Sequence, residues 1–176
     1  MDKLPLDTSS LNTNAWLSGF SVAGDSTFQI RITEGDKYNH LSTTYEISQG
    51  RLDSELFENY KDIMEKIAKL FLADLGVVYL SKYDRSGKQP FWRARNSSKA
   101  GATEVIKYFN RFPLFSSKHL DFLNWKEAYN LIEIKAHHKK YGLEGLNKIK
   151  SLKNSMNNKR TEFSWLHLNN FYNRIR

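Results

Sequence analysis

The chain has 176 residues, 40% hydrophobic and 26% charged, which is enough to bury one core of useful size in a single globular domain. It has no cysteine, which excludes a disulfide framework and thiolate metal centres, and no apolar run reaches the roughly 18 residues of a membrane-spanning helix. A net charge of +8 tilts the partner towards a polyanion.

The first ten residues, MDKLPLDTSS, mix acids with a proline and read neither as a secretory signal nor as an Arg-rich transit peptide. Asn12, Thr13 or Asn14 can cap a helix expected at about residues 14–25, WLSGFSVAGD at its heart, crowded with small side chains. Phe28, Ile30 and Ile32 then alternate with Gln29, Arg31 and Thr33, the pattern of a strand with one apolar face. After the turn EGDKYN, Leu41, Thr43, Tyr45 and Ile47 share one face of a second strand, and Ser42, Thr44, Glu46 and Ser48 share the other. Between residues 56 and 75 the apolar positions Ile63, Ile67, Leu70 and Phe71 recur at helical spacing. GVVYLSKY and PFWRARN flank DRSGKQ, a hairpin signal, with Trp92 and Ala94 opposing Arg93 and Arg95.

A helix from about 101 to 112 is expected to stop at Pro113, and further helices are expected at 125–138 and at 143–156. The last of these is basic, with Leu143, Leu146, Ile149 and Leu152 opposite its lysines, and TEFSWLHLNNF closes the chain. Of the five histidines, His40, His119, His137, His138 and His167, the adjacent pair diverges by about 100° on a helix and makes no ligand pair.

In that order, NAWLSGF, FQIRI, YEISQ, MEKIAKLFLADL, WRARNSS, KYFNRFPLFSSKHLDFLNWKEA and KNSMNNKRTEF resemble one repeat of the LAGLIDADG homing endonuclease and intron maturase family. The match is to the C-terminal repeat of organellar intron-encoded members and covers most of the chain. The resemblance implies an α+β fold with order α-β-β-α-β-β-α, a four-stranded antiparallel saddle with its helices on one face, in a single domain over residues 1–176. It implies nucleic acid on the polar face, at Gln29, Arg31, Thr33, Thr44, Glu46, Ser48, Arg93 and Arg95. It also implies contact between signature helices through Ser18, Gly19 and Ala23, since Gly costs roughly 1 kcal/mol against Ala inside a helix and needs a compensating contact.

In active members the signature helix ends in a carboxylate that holds Mg²⁺ at the scissile phosphate. Aligned from Trp16, the usual acidic positions hold Val22 and Gly24; aligned back from FQIRI, Asp25 takes the catalytic and metal-binding place and Gly24 is an extra residue. One added residue turns a helix by about 100° and lengthens it by about 1.5 Å. Gln49 matches a polar residue beside the attacking water, and Arg95 a basic residue that offsets phosphate charge.

The expectation is therefore a nucleic-acid binder whose cleavage is lost. It takes structured RNA as a maturase-like factor or as a recruited component of an organellar ribosome, and needs no cofactor. The alternative is a homodimeric, Mg²⁺-dependent endonuclease built on Asp25. Further expected partners are a second repeat, in another copy or another chain, or ribonucleoprotein proteins, but no membrane. A mitochondrial or other organellar location is expected. Met1 falls just before the signature helix, as in a frame restarted ahead of a second repeat.

Overall fold

The computed structural model describes residues 9–35, 39–50, 54–78, 91–138 and 143–172. A 3₁₀ turn at Leu11–Thr13 leads into helix α1, Trp16–Ala23. The cap position is Ala15, which has no capping side chain, so none of Asn12, Thr13 and Asn14 takes the expected cap; Asn14, one residue earlier, accepts at Oδ1 from the Trp16 N–H at 3.0 Å. Helix α1 is shorter than the expected 14–25. Gly24 is already extended (φ −89°, ψ 179°), with its N–H donating to the Phe20 carbonyl at 2.8 Å. A Cβ on Gly24 would lie 2.9 Å from that carbonyl, so the tight exit suits a residue without one. Ser26 completes the stop by donating its hydroxyl to the Ser21 carbonyl at 2.6 Å.

Strand β1 (Asp25–Thr33) follows at once and pairs antiparallel with β2 (His40–Gly50). Helix α2 (Ser54–Leu70) ends five residues before the expected limit at Leu75: Leu72 takes a left-handed φ of 47°, and β3 (Asp74–Val78) begins directly after. Strand β4 (Phe91–Asn96) completes an antiparallel sheet in the order β1-β2-β4-β3. The expected DRSGKQ hairpin lies outside the described residues.

Helices α3 (Lys99–Arg111), α4 (Lys118–Glu133) and α5 (Glu144–Asn154) follow, then a 3₁₀ turn at Asn157–Lys159 and α6 (Leu166–Tyr172). Helix α4 starts well ahead of the expected residue 125 and stops before 138. Its first turns point the polar His119 and Asp121 inward beside Phe122, which hides the helical period from a hydrophobicity count. Leu146, Ile149 and Leu152 of α5 are buried as expected, whereas Leu143 precedes the helix and is exposed.

The helices cover one face of the sheet, with α4 on β1 and β2, α3 on β2, and α2 on β3 and β4. Between the layers lies an aromatic core. Phe28 packs at 4.9 Å from Tyr45 and 5.5 Å from Trp125 (ring centroids), and Phe71, Phe109 and Phe122 close around them. Tilted and edge-on pairs of this kind add about 0.5–1.5 kcal/mol each beyond their buried area. The Tyr45 hydroxyl is not left alone there: it shares a 2.9 Å hydrogen bond with Ser21 of α1, and burial raises its pKa well above the ordinary value.

Candidate nucleic-acid interface

The second face of the sheet carries the polar side chains, and the ladder arranges them in rows. Asp25, Ser48, Arg93 and Gly76 face one another across the four strands; the next row is Thr27, Glu46, Arg95 and Asp74. Gln29 lies opposite Thr44, Arg31 opposite Ser42 and Thr33 opposite His40. The eight residues expected on this face therefore do share it, although Thr44 and Ser48 are buried. Glu46 sits between Arg93 (4.0 Å) and Arg95 (3.9 Å), spreading the two guanidiniums without neutralising both. About a third of each arginine side chain stays exposed, which leaves its fork free to meet a phosphate or a base edge.

The carboxylate expected at the end of the signature helix is not on a helix. Asp25 is the first residue of β1, exposed, on the same face as Gln29 and Arg31. The row partner across Ser48 is Arg93, about 10 Å away at two strand spacings, rather than Arg95. Gln49 pairs with Trp92 and shares the inward face with Ile47 and Tyr45, so the ladder does not gather Gln49, Asp25 and Arg95 on one side. Alternation of side chains along a strand is the reason.

Lys118 is a residue that the pattern did not single out. Its ammonium donates to the carbonyls of Ser21 (3.0 Å) and Gly24 (3.2 Å) and to Ser26 Oγ (3.1 Å). A cation there satisfies the orphan carbonyls at the negative end of α1. Burial lowers its pKa, opposed by the charges of Asp25 and Asp121. The signal was available in FSSKHLDF, a lysine at the start of a helix, but only the fold shows that it reaches back across the chain to Gly24.

One carboxylate is a poor metal site by itself, since Mg²⁺ takes six oxygens. Among the described residues no three or more His, Cys, Asp or Glu gather where they could hold a metal ion. Asp25 by itself therefore does not complete a Mg²⁺ site among the described residues.

Helix α1 turns two different sides outward and inward. Leu17, Ser18 and Ser21 are buried; Ser18, expected at a helix–helix contact, instead donates its hydroxyl to the Phe112 carbonyl at 2.5 Å. Gly19 and Ala23 are exposed as that contact needs, and nothing lies within 4 Å of a Cβ built on Gly19. They share the open side with Trp16, 47% exposed, whose ring stacks on Phe20 at 4.8 Å.

The sequence profile described as LAGLIDADG endonuclease matches residues 17–129, from α1 through most of α4. The chain belongs to the LAGLIDADG endonuclease family. It is 30% identical to the intron-encoded DNA endonuclease aI3 of Saccharomyces cerevisiae over 96% of this chain and 43% of that protein. With the probable intron-encoded DNA endonuclease aI1 of Mycosarcoma maydis it shares 30% over 69% of this chain and 91% of the relative. The chain thus spans less than half the length of the yeast relative.

Among solved structures, the LAGLIDADG homing endonuclease I-LtrWI bound to target DNA superposes with a TM-score of 0.65 at 24% identity, covering 90% of this chain and 49% of that one. The homing endonuclease I-TnaI gives 0.63 at 17% identity, covering 92% and 96%. These likenesses establish the LAGLIDADG fold and its four-stranded antiparallel sheet.

Proposed function

We propose that this chain is a LAGLIDADG repeat that holds nucleic acid on the polar face of its sheet and has lost strand cleavage. Structured RNA is its favoured ligand, in a maturase-like role or as a ribonucleoprotein component such as a part of an organellar ribosome. The observation that carries the loss of cleavage is the exit of α1: the helix ends at Ala23 with Val22 and Gly24 in the usual acidic places, and the carboxylate that follows, Asp25, belongs to the strand. A displacement of about 1 Å can cost a hundredfold in rate, and Asp25 departs by a whole residue. The observation that supports binding is the presence of Gln29, Arg31, Arg93 and Arg95 on one face of the sheet of a +8 protein. The relatives are named as intron-encoded, one of them from a cox1 intron, and a mitochondrial origin is part of the proposal.

A second reading, a homodimeric Mg²⁺-dependent endonuclease, is favoured by two observations. Asp25 shares the nucleic-acid face beside the Lys118 ammonium, and the open side of α1 has room for a second helix. On that reading Asp25 and its twin would hold the metal, which would supply a lowered pKa for the attacking water.

The two readings part in one assay. The chain and Asp25→Asn are incubated with Mg²⁺ and a plasmid library of candidate sites, and in parallel with folded intron and ribosomal RNA. The expected result is RNA retention without double-strand breaks by either protein. Breaks made by the wild type and abolished in Asp25→Asn would overturn the loss of cleavage.

A further inference from the structure

We propose that the cleft between the free edge of β1 and the turn after α5 is a clamp for backbone phosphates, extending the nucleic-acid face past the rim of the sheet; the inference rests on the binding half of the proposed function. β1 is an outer strand, so one side of its backbone has no neighbouring strand. Against that side stand the end of α5 and the 3₁₀ turn, enclosing a cleft of about 280 Å³ lined by Gln29, Ile30, Arg31, Lys153, Asn158 and Lys159. That is room for a phosphate with several waters, each of which takes about 30 Å³ of liquid volume.

Three of these side chains are cations and none is an acid. Among the described residues neither Arg31 nor Lys153 has an ion-pair partner, and Lys159 is held only by Asn154 Oδ1 at 3.2 Å. Glu34, just past the end of β1, is already engaged by Lys150 at 2.9 Å. The positive charge in the cleft is therefore uncompensated by any carboxylate among the described residues.

The backbone adds a donor. The Phe28 carbonyl accepts from Asn157 Nδ2 at 3.1 Å, so it points away from β2. In an antiparallel strand the N–H and C=O of a residue point the same way and alternate along the chain, so the Ile30 N–H also points outward, into the cleft. Backbone N–H groups and lysines are common phosphate contacts.

The turn that forms the far wall is held rigid from below. Asp121 Oδ1 accepts from Arg160 Nη2 (2.6 Å) and Nε (2.9 Å) and from the Asn157 N–H (3.0 Å). Both side chains of this pair are more than nine-tenths buried. Asn157 takes a left-handed φ of 55° and Met156 is buried beneath it. A buried ion pair contributes little net stability against apolar residues of the same size. Its effect here is to fix where Asn158 and Lys159 project.

The test measures binding of the full chain to a randomised-sequence DNA duplex and, separately, to bulk transfer RNA, across a series of salt concentrations. Lys153→Gln/Lys159→Gln is expected to reduce the slope of log affinity against log salt by about 1.8 on duplex DNA, two contacts at about 0.9 each, and by about 1.4 on single-stranded regions. Lys107→Gln/Lys126→Gln removes the same charge from the helical layer and is expected to leave the slope in place. Asn158→Asp, which sets a carboxylate in the cleft, is expected to weaken binding with the melting temperature unchanged. An equal slope change in both double variants, or no change in either, overturns the clamp while nucleic-acid binding stands. A wild type that binds neither probe overturns the clamp and the proposed function together.

Discussion

His119 shows how one side chain couples α4 to the end of the chain. Its ring stacks on His167 at 3.9 Å, His167 Nε2 bonds the Leu114 carbonyl at 3.0 Å, and His119 Nδ1 is buried without a partner among the described residues. Burial first, then the charges of His167 and Lys126, push its pKa down to about 4 from 6.5. The folded state thus prefers the neutral ring while the unfolded chain takes up a proton near pH 6.5. The contribution is fully present above that pH and is lost as pH falls towards 4. Thermal melts at about pH 7 and about pH 5 should show a loss in the wild type that is smaller in His119→Phe, which keeps an aromatic ring against His167. An equal loss in both proteins would exclude His119 as its source. The inward first turns of α4 are what bury it.

Two glycines decide how elements meet, and they behave in opposite ways. A Cβ on Gly101 would collide with Asn96 Nδ2 and the Phe71 carbonyl, and Asn96 cannot yield because its amide donates to that same carbonyl at 2.7 Å. This bond ties the end of β4 to the exit of α2, where Leu72 reverses the chain. Gly101→Ala should cost on the order of 1–3 kcal/mol, read as a lower urea midpoint at unchanged slope. Nothing crowds Gly19, so Gly19→Ala should stabilise the isolated chain by up to about 1 kcal/mol through helix propensity. The period-two strands were legible because each has a dry and a wet face. The limits of α1 and α4 were not, because inward-facing Ser18, Ser21, His119 and Asp121 imitate a solvent face.

At the scale of the molecule, the open side of α1 leaves a stacked Trp16–Phe20 pair beside Gly19 and Ala23, and the chain spans less than half the length of the yeast relative and of the I-LtrWI structure. A second repeat seated there would bury that side. Light scattering across a concentration series should then show self-association by the wild type that Gly19→Leu removes without lowering its melting temperature. A mass that stays monomeric throughout would count against a homodimer and direct the search to another chain.

From the sequence alone, the strands and their polar residues were legible through local alternation, and the fold class followed from the resemblance of the ordered motifs to a known family. The sequence also located the disturbance between Phe20 and Phe28. Only the tertiary structure decided how that disturbance is absorbed: Gly24 leaves the helix, Asp25 joins the sheet, and Lys118 closes the helix end from ninety-four residues away. It alone placed Ser18 and Gln49 inward and brought the turn at Asn157 against the edge of β1. Contacts of that kind join residues far apart in the chain, and no local period records them.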